Sequence, residues 1–97
     1  MTTVKFKNLK YNLAFGKYGN GRTSIVLNDV KDGSQKAVAS VNLPDVPMHK
    51  NEVAIKDYSE NAGMLLTLYE AKVISTPKRY VPSGFVEIPI CELLKTE

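Results

Sequence analysis

A strand pattern changes into a helix pattern within residues 53–66, VAIKDYSENAGMLL. Val53 and Ile55 alternate with small or charged neighbours, which is typical of a short strand with one apolar face. Asp57 ends the alternation, and its carboxylate can accept hydrogen bonds from the free backbone N–H groups of a helix start. With Glu60 reaching back, the pair predicts an acidic capping box that contributes about 1 kcal/mol.

The helix is predicted over residues 58–72, where apolar residues recur at helical spacing. Ser59 is a competing cap at its start. The stripe expected to face the core consists of Tyr58, Ala62, Leu65, Leu66, Tyr69 and Val73, widened by Met64 and Leu68. Gly63 lies inside this helix, where glycine costs about 1 kcal/mol relative to alanine. Two explanations stay open: a tolerated surface glycine, which we favour, or the close approach of another backbone.

The region before this helix predicts antiparallel strands joined by hairpins. Leu13 and Phe15 lie on one face of a strand that ends in glycines, and Asn-Gly within residues 19–21 is a strong hairpin signal. A loop of all three residues sets Phe15 opposite Ile25 and Leu13 opposite Leu27. We expect this loop, with a bulge, because a slip of one residue would turn an apolar face outward.

A second hairpin is predicted at residues 31–34, followed by a strand over residues 37–43. Burial again favours the longer of two loops, which pairs Leu27 with Ala39. Residues 9–43 would then form a three-stranded meander.

The C-terminal third predicts an irregular segment and a closing strand. Residues 76–84 contain Pro77 and Pro82 and are expected to form a loop. Residues 85–94 alternate as a strand, in which Pro89 cannot donate a ladder hydrogen bond. This strand should therefore have an edge or a bulge at that proline.

The order of these elements predicts an α+β fold in a single domain over residues 1–97. The expected architecture is an antiparallel sheet or half-open barrel, a β-meander followed by β-α-β, packed on the single helix. One helix covers only one face of a sheet. The other face, available to water or to a second copy in a homo-oligomer, would present Asn12, Ala14, Ser24, Val26, Val38 and Ser40.

Composition places the chain among ordinary globular domains. It has 97 residues, of which 43% are hydrophobic and 24% are charged. The sequence contains no apolar run of bilayer length and no signal-peptide pattern. The single cysteine, Cys91, excludes an internal disulfide. These features predict a cytoplasmic protein without membrane association.

Positive charge is concentrated near the start of the chain, although the net charge is only +3. Residues 1–28 contain no acid. Their bases are Lys5, Lys7, Lys10, Lys17 and Arg22. Aromatic residues interleave with these bases, which indicates a nucleic-acid surface as one reading. The reading we favour is that the bases line the solvent face of a strand and protect its edge.

No catalytic or metal-binding pattern emerges. Cys91 and His49 are each unique in the chain and could in principle form a nucleophile pair. However, Cys91 lies in an apolar strand pattern, where a buried thiol is inert. Zinc sites need three or four ligands, which these two residues do not supply. We therefore expect neither an enzyme nor a bound metal or cofactor.

The best local candidate for binding is the run Lys78, Arg79 and Tyr80 in the predicted loop. These side chains could grip phosphate, RNA or an acidic protein surface. An exposed loop with ordinary surface charge is the simpler alternative.

Three segments resemble a family of small uncharacterised bacterial proteins encoded on phages, plasmids and conjugative elements. They are Val41–Pro44, Ile55–Leu65 and Pro82–Glu87 with Pro89–Leu93, and the run KDYSEN carries most of the likeness. The resemblance implies an accessory gene of mobile DNA and assigns no activity to any residue.

Together these features predict a small non-enzymatic binding protein that acts on a host or element-encoded protein, for example in counter-defence. The alternative is a nucleic-acid binder that uses the basic N-terminal hairpin, whose affinity would fall steeply with salt.

Overall fold

The computed structural model describes residues 2–95 and has an α+β fold, as the sequence predicts. Its elements are β1 (Thr3–Phe6), β2 (Leu9–Lys17), β3 (Thr23–Asp29), β4 (Gln35–Val38), β5 (Ser40–Val41), β6 (Glu52–Ile55), a 3₁₀ turn (Ser59–Asn61), α1 (Met64–Glu70), β7 (Ile74–Ser83) and β8 (Val86–Leu93). No helix in the described residues is long and apolar enough to cross a membrane.

The strands form two antiparallel sheets, in place of the single sheet or half-open barrel that we expected. The first sheet has the order β1-β2-β3-β4, and the second has the order β5-β6-β8-β7. The main core lies where both sheets and α1 meet, and it includes fully buried Ile25, Ile55 and Met64. One continuous core therefore joins both sheets.

The hairpin between β2 and β3 confirms the predicted register. The predicted pairs are present: Leu13 with Leu27 and Phe15 with Ile25. The backbone N–H of Tyr18 donates to the carbonyl of Arg22 at 2.7 Å, which leaves residues 19–21 as the loop. Gly21 has a φ of +86°, the left-handed conformation that ends such a loop.

The predicted register of the second hairpin is wrong by two residues, because Leu27 lies opposite Ala37 and not Ala39. The carboxylate of Asp29 accepts the backbone N–H of Lys31 at 2.7 Å. This Asx turn closes the hairpin at Asp29, whose N–H donates to Ser34 at 2.8 Å. A bulge after the turn then returns the apolar side chains to the core face.

The predicted strand over residues 37–43 breaks at Ala39, where the chain passes from the first sheet to the second. Ala39 is fully buried, donates to the carbonyl of Ile25 and accepts from the N–H of Lys56, both at 2.8 Å. We expected Ser40 on the open face of the first sheet, but it lies in β5 of the second sheet. Its hydroxyl is buried and accepts from the backbone N–H of Ile25 at 3.0 Å.

The helix begins at Met64 and not at residue 58. Ser59 and Gly63 have φ angles of +55° and +97°, and these left-handed residues prevent a continuous helix. The nearest atom to a Cβ on Gly63 would be 3.9 Å away on the Phe6 ring. Neither explanation offered for this glycine therefore applies, since its backbone conformation is what requires it.

The capping prediction is correct in part for Asp57, whose carboxylate accepts N–H groups at the helix start although the N-cap residue is Gly63, and it is wrong for Glu60. The Asp57 carboxylate accepts from the backbone N–H groups of Gly63 at 3.1 Å and Leu65 at 2.8 Å. Glu60 does not reach back to complete a capping box. It forms an exposed ion pair with Lys56 at 2.7 Å instead.

The segment predicted as an irregular loop is the edge strand β7. Both of its prolines are tolerated because strand order leaves one side of β7 without a partner strand. On β8, the ladder with β6 ends at Ile90, immediately beside Pro89. At Pro89, β8 therefore has no partner on the β6 side, as predicted for a residue that has no N–H to donate.

Candidate binding groove

A groove with a volume of about 250 Å³ lies between α1 and the start of β7. Its lining residues are Asp57, Gly63, Leu65, Leu66, Tyr69, Ser75, Thr76 and Pro77. We call this feature the α1–β7 groove.

The groove exists because α1 has two apolar sides. Met64 and Leu68 are fully buried in the main core, whereas Leu66 and Tyr69 remain 58% and 48% exposed. The prediction that Leu66 and Tyr69 face the core is therefore wrong. The shorter helix points Met64 and Leu68 inward, so the neighbouring apolar residues face β7 and solvent.

Tyr80 lies further along β7 than the groove, on the same face of the sheet as Pro77. Pro77 pairs with Cys91 and Tyr80 pairs with Pro89, two residues apart on β8. Side chains two residues apart on a strand share a face, so Pro77 and Tyr80 lie on the same face of the sheet. Tyr80 is 54% exposed, which makes it a third large, accessible side chain in addition to Leu66 and Tyr69, although it does not line the groove.

The guanidinium of Arg79 is already engaged within the protein. It donates to both carboxylate oxygens of Glu52, at 3.0 and 3.1 Å, and to the carbonyl of Pro47 at 2.8 Å. Glu52 is buried and also accepts the backbone N–H of His49 at 3.0 Å. The Arg79 hydrogen bonds hold the pKa of Glu52 below its ordinary value, although burial acts in the opposite direction.

This ion pair attaches the loop of residues 44–51 to the second sheet. Lys78 lies beside it at the surface, with its amine 3.8 Å from the carboxylate of Glu92. Such an exposed contact adds little to stability. None of the three candidate binding residues lines the groove. Tyr80 lies on the same face of β7 as the lining residue Pro77, whereas Arg79 and Lys78 contact carboxylates of the second sheet.

The basic residues near the start of the chain do not converge on one surface. Lys5 and Lys10 are neighbours across β1 and β2. Lys17 pairs with Thr23 at the other end of β2. The amine of Lys7 donates to the carbonyl of Glu60 at 2.6 Å.

Arg22 also has a structural role. Its guanidinium donates to the carbonyl of Leu43 and lies 3.4 Å from the sulfur of Met48. Through Met48 it contacts the same 44–51 loop that Arg79 contacts at Pro47, and through Leu43 it holds the residue before that loop. The five basic side chains are thus divided between two ends of the first sheet. The nucleic-acid hypothesis stays a prediction.

Cys91 and His49 occupy different environments. Cys91 is fully buried in the main core, while His49 is exposed. Burial, reinforced by the charge of Asp57, raises the pKa of the Cys91 thiol to about 11. The thiol is therefore protonated at neutral pH and is a poor nucleophile. Within residues 2–95, no three His, Cys, Asp or Glu side chains form a group that could hold a metal ion.

No family model, curated protein or solved structure matches this chain. The resemblance to proteins of mobile elements stays a prediction.

The groove was not predicted from the sequence, although the helix carries one signal for it. At about 100° per residue, Met64 and Leu68 point one way, while Leu65, Leu66 and Tyr69 point to an adjoining sector. The apolar arc is thus wider than one core-facing side requires. Such an arc indicates a second apolar contact for the helix.

Proposed function

We propose that this protein is a non-enzymatic binding protein that acts by protein–protein interaction through the α1–β7 groove. The supporting observation is the exposure of Leu66 and Tyr69 in the lining of the groove, at 58% and 48%. Tyr80, which is 54% exposed, lies further along β7 on the same sheet face as the lining residue Pro77. Clustered apolar exposure of this kind marks interaction sites, and aromatic side chains are frequent anchors of protein interfaces.

The size of the groove favours an anchoring side chain over a small-molecule ligand. Its volume of about 250 Å³ falls below the range of roughly 300–1,000 Å³ that is usual for small-molecule pockets. An apolar side chain projecting from a partner protein would be covered by Leu65 and Pro77 inside the groove. Leu66, Tyr69 and Tyr80 would then contact the partner around it.

The partner would bind through side chains and not by adding a strand. β7 is the edge of the second sheet, so strand addition is geometrically open there. However, Pro77 and Pro82 have no backbone N–H, and two register shifts bend the β7–β8 ladder between Ile74 and Arg79. Prolines and bulges on an edge strand prevent regular pairing with another chain.

The biological setting that we propose follows from the resemblance to phage and plasmid proteins. An accessory protein of a mobile element would act on a host or element-encoded protein, and counter-defence is one such role. The absence of an activated nucleophile at Cys91 is consistent with binding as the mode of action.

The proposal is tested by affinity capture with matched surface variants. The groove variant combines Leu66→Ser, Tyr69→Ser and Tyr80→Ser. The control is Phe85→Ser, which removes a fully exposed aromatic at the β7–β8 turn. Before the assay, thermal unfolding must show that each variant has the same unfolding temperature as the wild-type protein.

We expect the wild type and the control to recover the same stoichiometric partner from host lysate. Recovery by the groove variant should fall at least tenfold. Equal recovery by both variants, or recovery of no stoichiometric protein by the wild type, would contradict the proposal.

A further inference from the structure

A second hollow, of about 520 Å³, lies at the end of the first sheet opposite the turn at residues 19–21. Its lining residues are Leu9, Lys10, Tyr11, Asp29, Val30, Lys31 and Lys36. We call this feature the lysine hollow. It is formed by the start of β2, the end of β3 and the hairpin that leads into β4.

Lysine amines dominate the charge of this hollow. Lys10, Lys31 and Lys36 line it, and Lys5 is the cross-strand neighbour of Lys10. None of these four amines forms an ion pair with a carboxylate of residues 2–95. Its lining residues comprise three lysines and one acid, Asp29, so the hollow presents a net positive charge to an incoming ligand.

The two nearby acids are occupied by the turn itself. Asp29 accepts the backbone N–H groups of Lys31 and Asp32, at 2.7 and 3.3 Å. Asp32 in turn accepts the N–H of Ser34 at 2.8 Å. The hydrogen bonds from Ser34, and to a smaller extent the charge of Lys36, hold the pKa of Asp32 below its ordinary value, so this carboxylate offsets part of the lysine charge. With two carboxylates against four amines, the region keeps a net positive charge.

Apolar side chains lie among these charges. Leu9 is 61% exposed and Val30 is 46% exposed, and both line the hollow. Exposed aliphatic side chains flanked by lysines are complementary to an apolar side chain flanked by carboxylates. The charge favours encounter, and the apolar contact supplies affinity once water is displaced.

We propose that the lysine hollow binds an acidic peptide segment of a partner protein, in which a large apolar side chain lies between Asp or Glu residues. The apolar side chain would contact Leu9 and Val30, and the carboxylates would pair with the surrounding lysines. This surface is separate from the α1–β7 groove, so its test does not depend on the proposed function.

The composition of the hollow favours a peptide over a nucleic acid. Sequence-tolerant binding of single strands uses exposed aromatic side chains on which bases stack. The aromatic residue here is Tyr11, which is partly buried against the main core. The accessible apolar groups are the aliphatic Leu9 and Val30, which match a peptide side chain better than a base.

Fluorescence anisotropy with three labelled probes tests this inference. The first probe is a short peptide with Leu and Phe between Glu and Asp residues. The second is the same peptide with Gln and Asn in place of the acids. The third is a single-stranded oligothymidylate of the same charge as the acidic peptide.

Three variants of the full chain provide the controls. The hollow variant carries Lys10→Gln, Lys31→Gln and Lys36→Gln. A charge-matched variant carries Lys17→Gln, Lys50→Gln and Lys78→Gln, which lie outside the hollow. A third variant carries Leu9→Ser and Val30→Ser. Circular dichroism must show that each variant is folded.

We expect the acidic peptide to bind the wild type at least tenfold more tightly than the amide peptide. The hollow variant and the Leu9/Val30 variant should each lose tenfold or more, while the charge-matched variant stays within twofold of wild type. Affinity should fall with added salt.

Several results would overturn the inference. Equal losses in both lysine variants would show a non-specific charge effect. Tighter binding of the oligothymidylate than of the acidic peptide, unaffected by the Leu9/Val30 change, would identify a nucleic-acid surface. Failure of the acidic peptide to bind the wild type at low salt would remove the site altogether.

Discussion

The two sheets differ in how many of their faces are covered. On the second sheet, a small separate core buries Ala54, Ile88 and Ile90 on the side away from the main core. On the first sheet, the corresponding side chains of Ala14 and Val26 remain partly exposed. Both sheets alternate in sequence, so the alternation alone did not reveal that one of them has a second buried face.

The difference arises from the loop of residues 44–51 and its anchors. Leu43 and Met48 pack over the small core of the second sheet. Arg79 and Arg22 hold this region through its backbone carbonyls. The first sheet has no comparable loop within residues 2–95, and its outer face is left open to water or to a partner.

The largest contrast should come from truncating one side chain on each outer face. Ile90→Ala removes a fully buried side chain of the second sheet and should cost about 3 kcal/mol of unfolding free energy. Val26→Ala on the first sheet should cost less than about 1 kcal/mol, because its side chain is already partly hydrated. Urea denaturation of both variants measures the difference. Equal losses would show that the first sheet is covered as well, for example by a second copy of the chain.

A smaller effect is expected from removing the anchor of the loop. Arg79→Met leaves the buried carboxylate of Glu52 without its cation and should lower the free energy of unfolding by about 2 kcal/mol. The loss is smaller than for a fully buried ion pair because Arg79 is partly exposed. Lys78→Met is the matched control on the same strand and should leave the free energy of unfolding nearly unchanged. A stable Arg79→Met protein would mean that the Arg22 contacts and apolar packing are sufficient to hold the loop.

The helix contacts β1 of one sheet and β7 of the other, so its cap tests the junction between the two sheets. Asp57→Ala removes the acceptor for the N–H groups of Gly63 and Leu65 and should cost about 1 kcal/mol. Glu60→Ala, which removes only an exposed ion pair, should change stability too little to resolve. Chemical denaturation and helical circular dichroism measure both variants. A larger effect of Glu60→Ala would restore the capping-box prediction.

The smallest effect should appear in the acid dependence of stability. The pKa of Glu52 is lowered in the folded protein from an ordinary value of 4.5, chiefly by the Arg79 hydrogen bonds. Its stabilising contribution is therefore present above pH 4.5 and is lost as the pH falls through the folded pKa. In Glu52→Gln, unfolding free energy should decrease less between neutral pH and pH 3 than in the wild type. Parallel pH profiles would show that other carboxylates cause the acid sensitivity.

The candidate groove was only partly predictable from the sequence. Tyr80 was identified as a binding residue, and its role stays a prediction: it is exposed on the face of β7 that carries the groove residue Pro77, but it does not line the groove. Leu66 and Tyr69 were assigned to the core, because their orientation depends on where the helix begins. Arg79 was assigned to a binding loop because its partner Glu52 is distant in sequence. The two residues meet only because β8 pairs with β6 on one side and with β7 on the other.

By itself, the sequence determined the α+β class, the register of the β2–β3 hairpin and the capping role of Asp57. These features depend on local alternation, on a glycine in the left-handed region and on a carboxylate near free N–H groups. Only the tertiary structure decided that Ala39 divides one predicted strand between two sheets, that β7 accepts two prolines as an edge, and which side of α1 is buried. Those outcomes depend on contacts between residues far apart in the chain, and periodicity within one segment does not determine them: the wide apolar arc of α1 indicates two contacts but not which of them is buried.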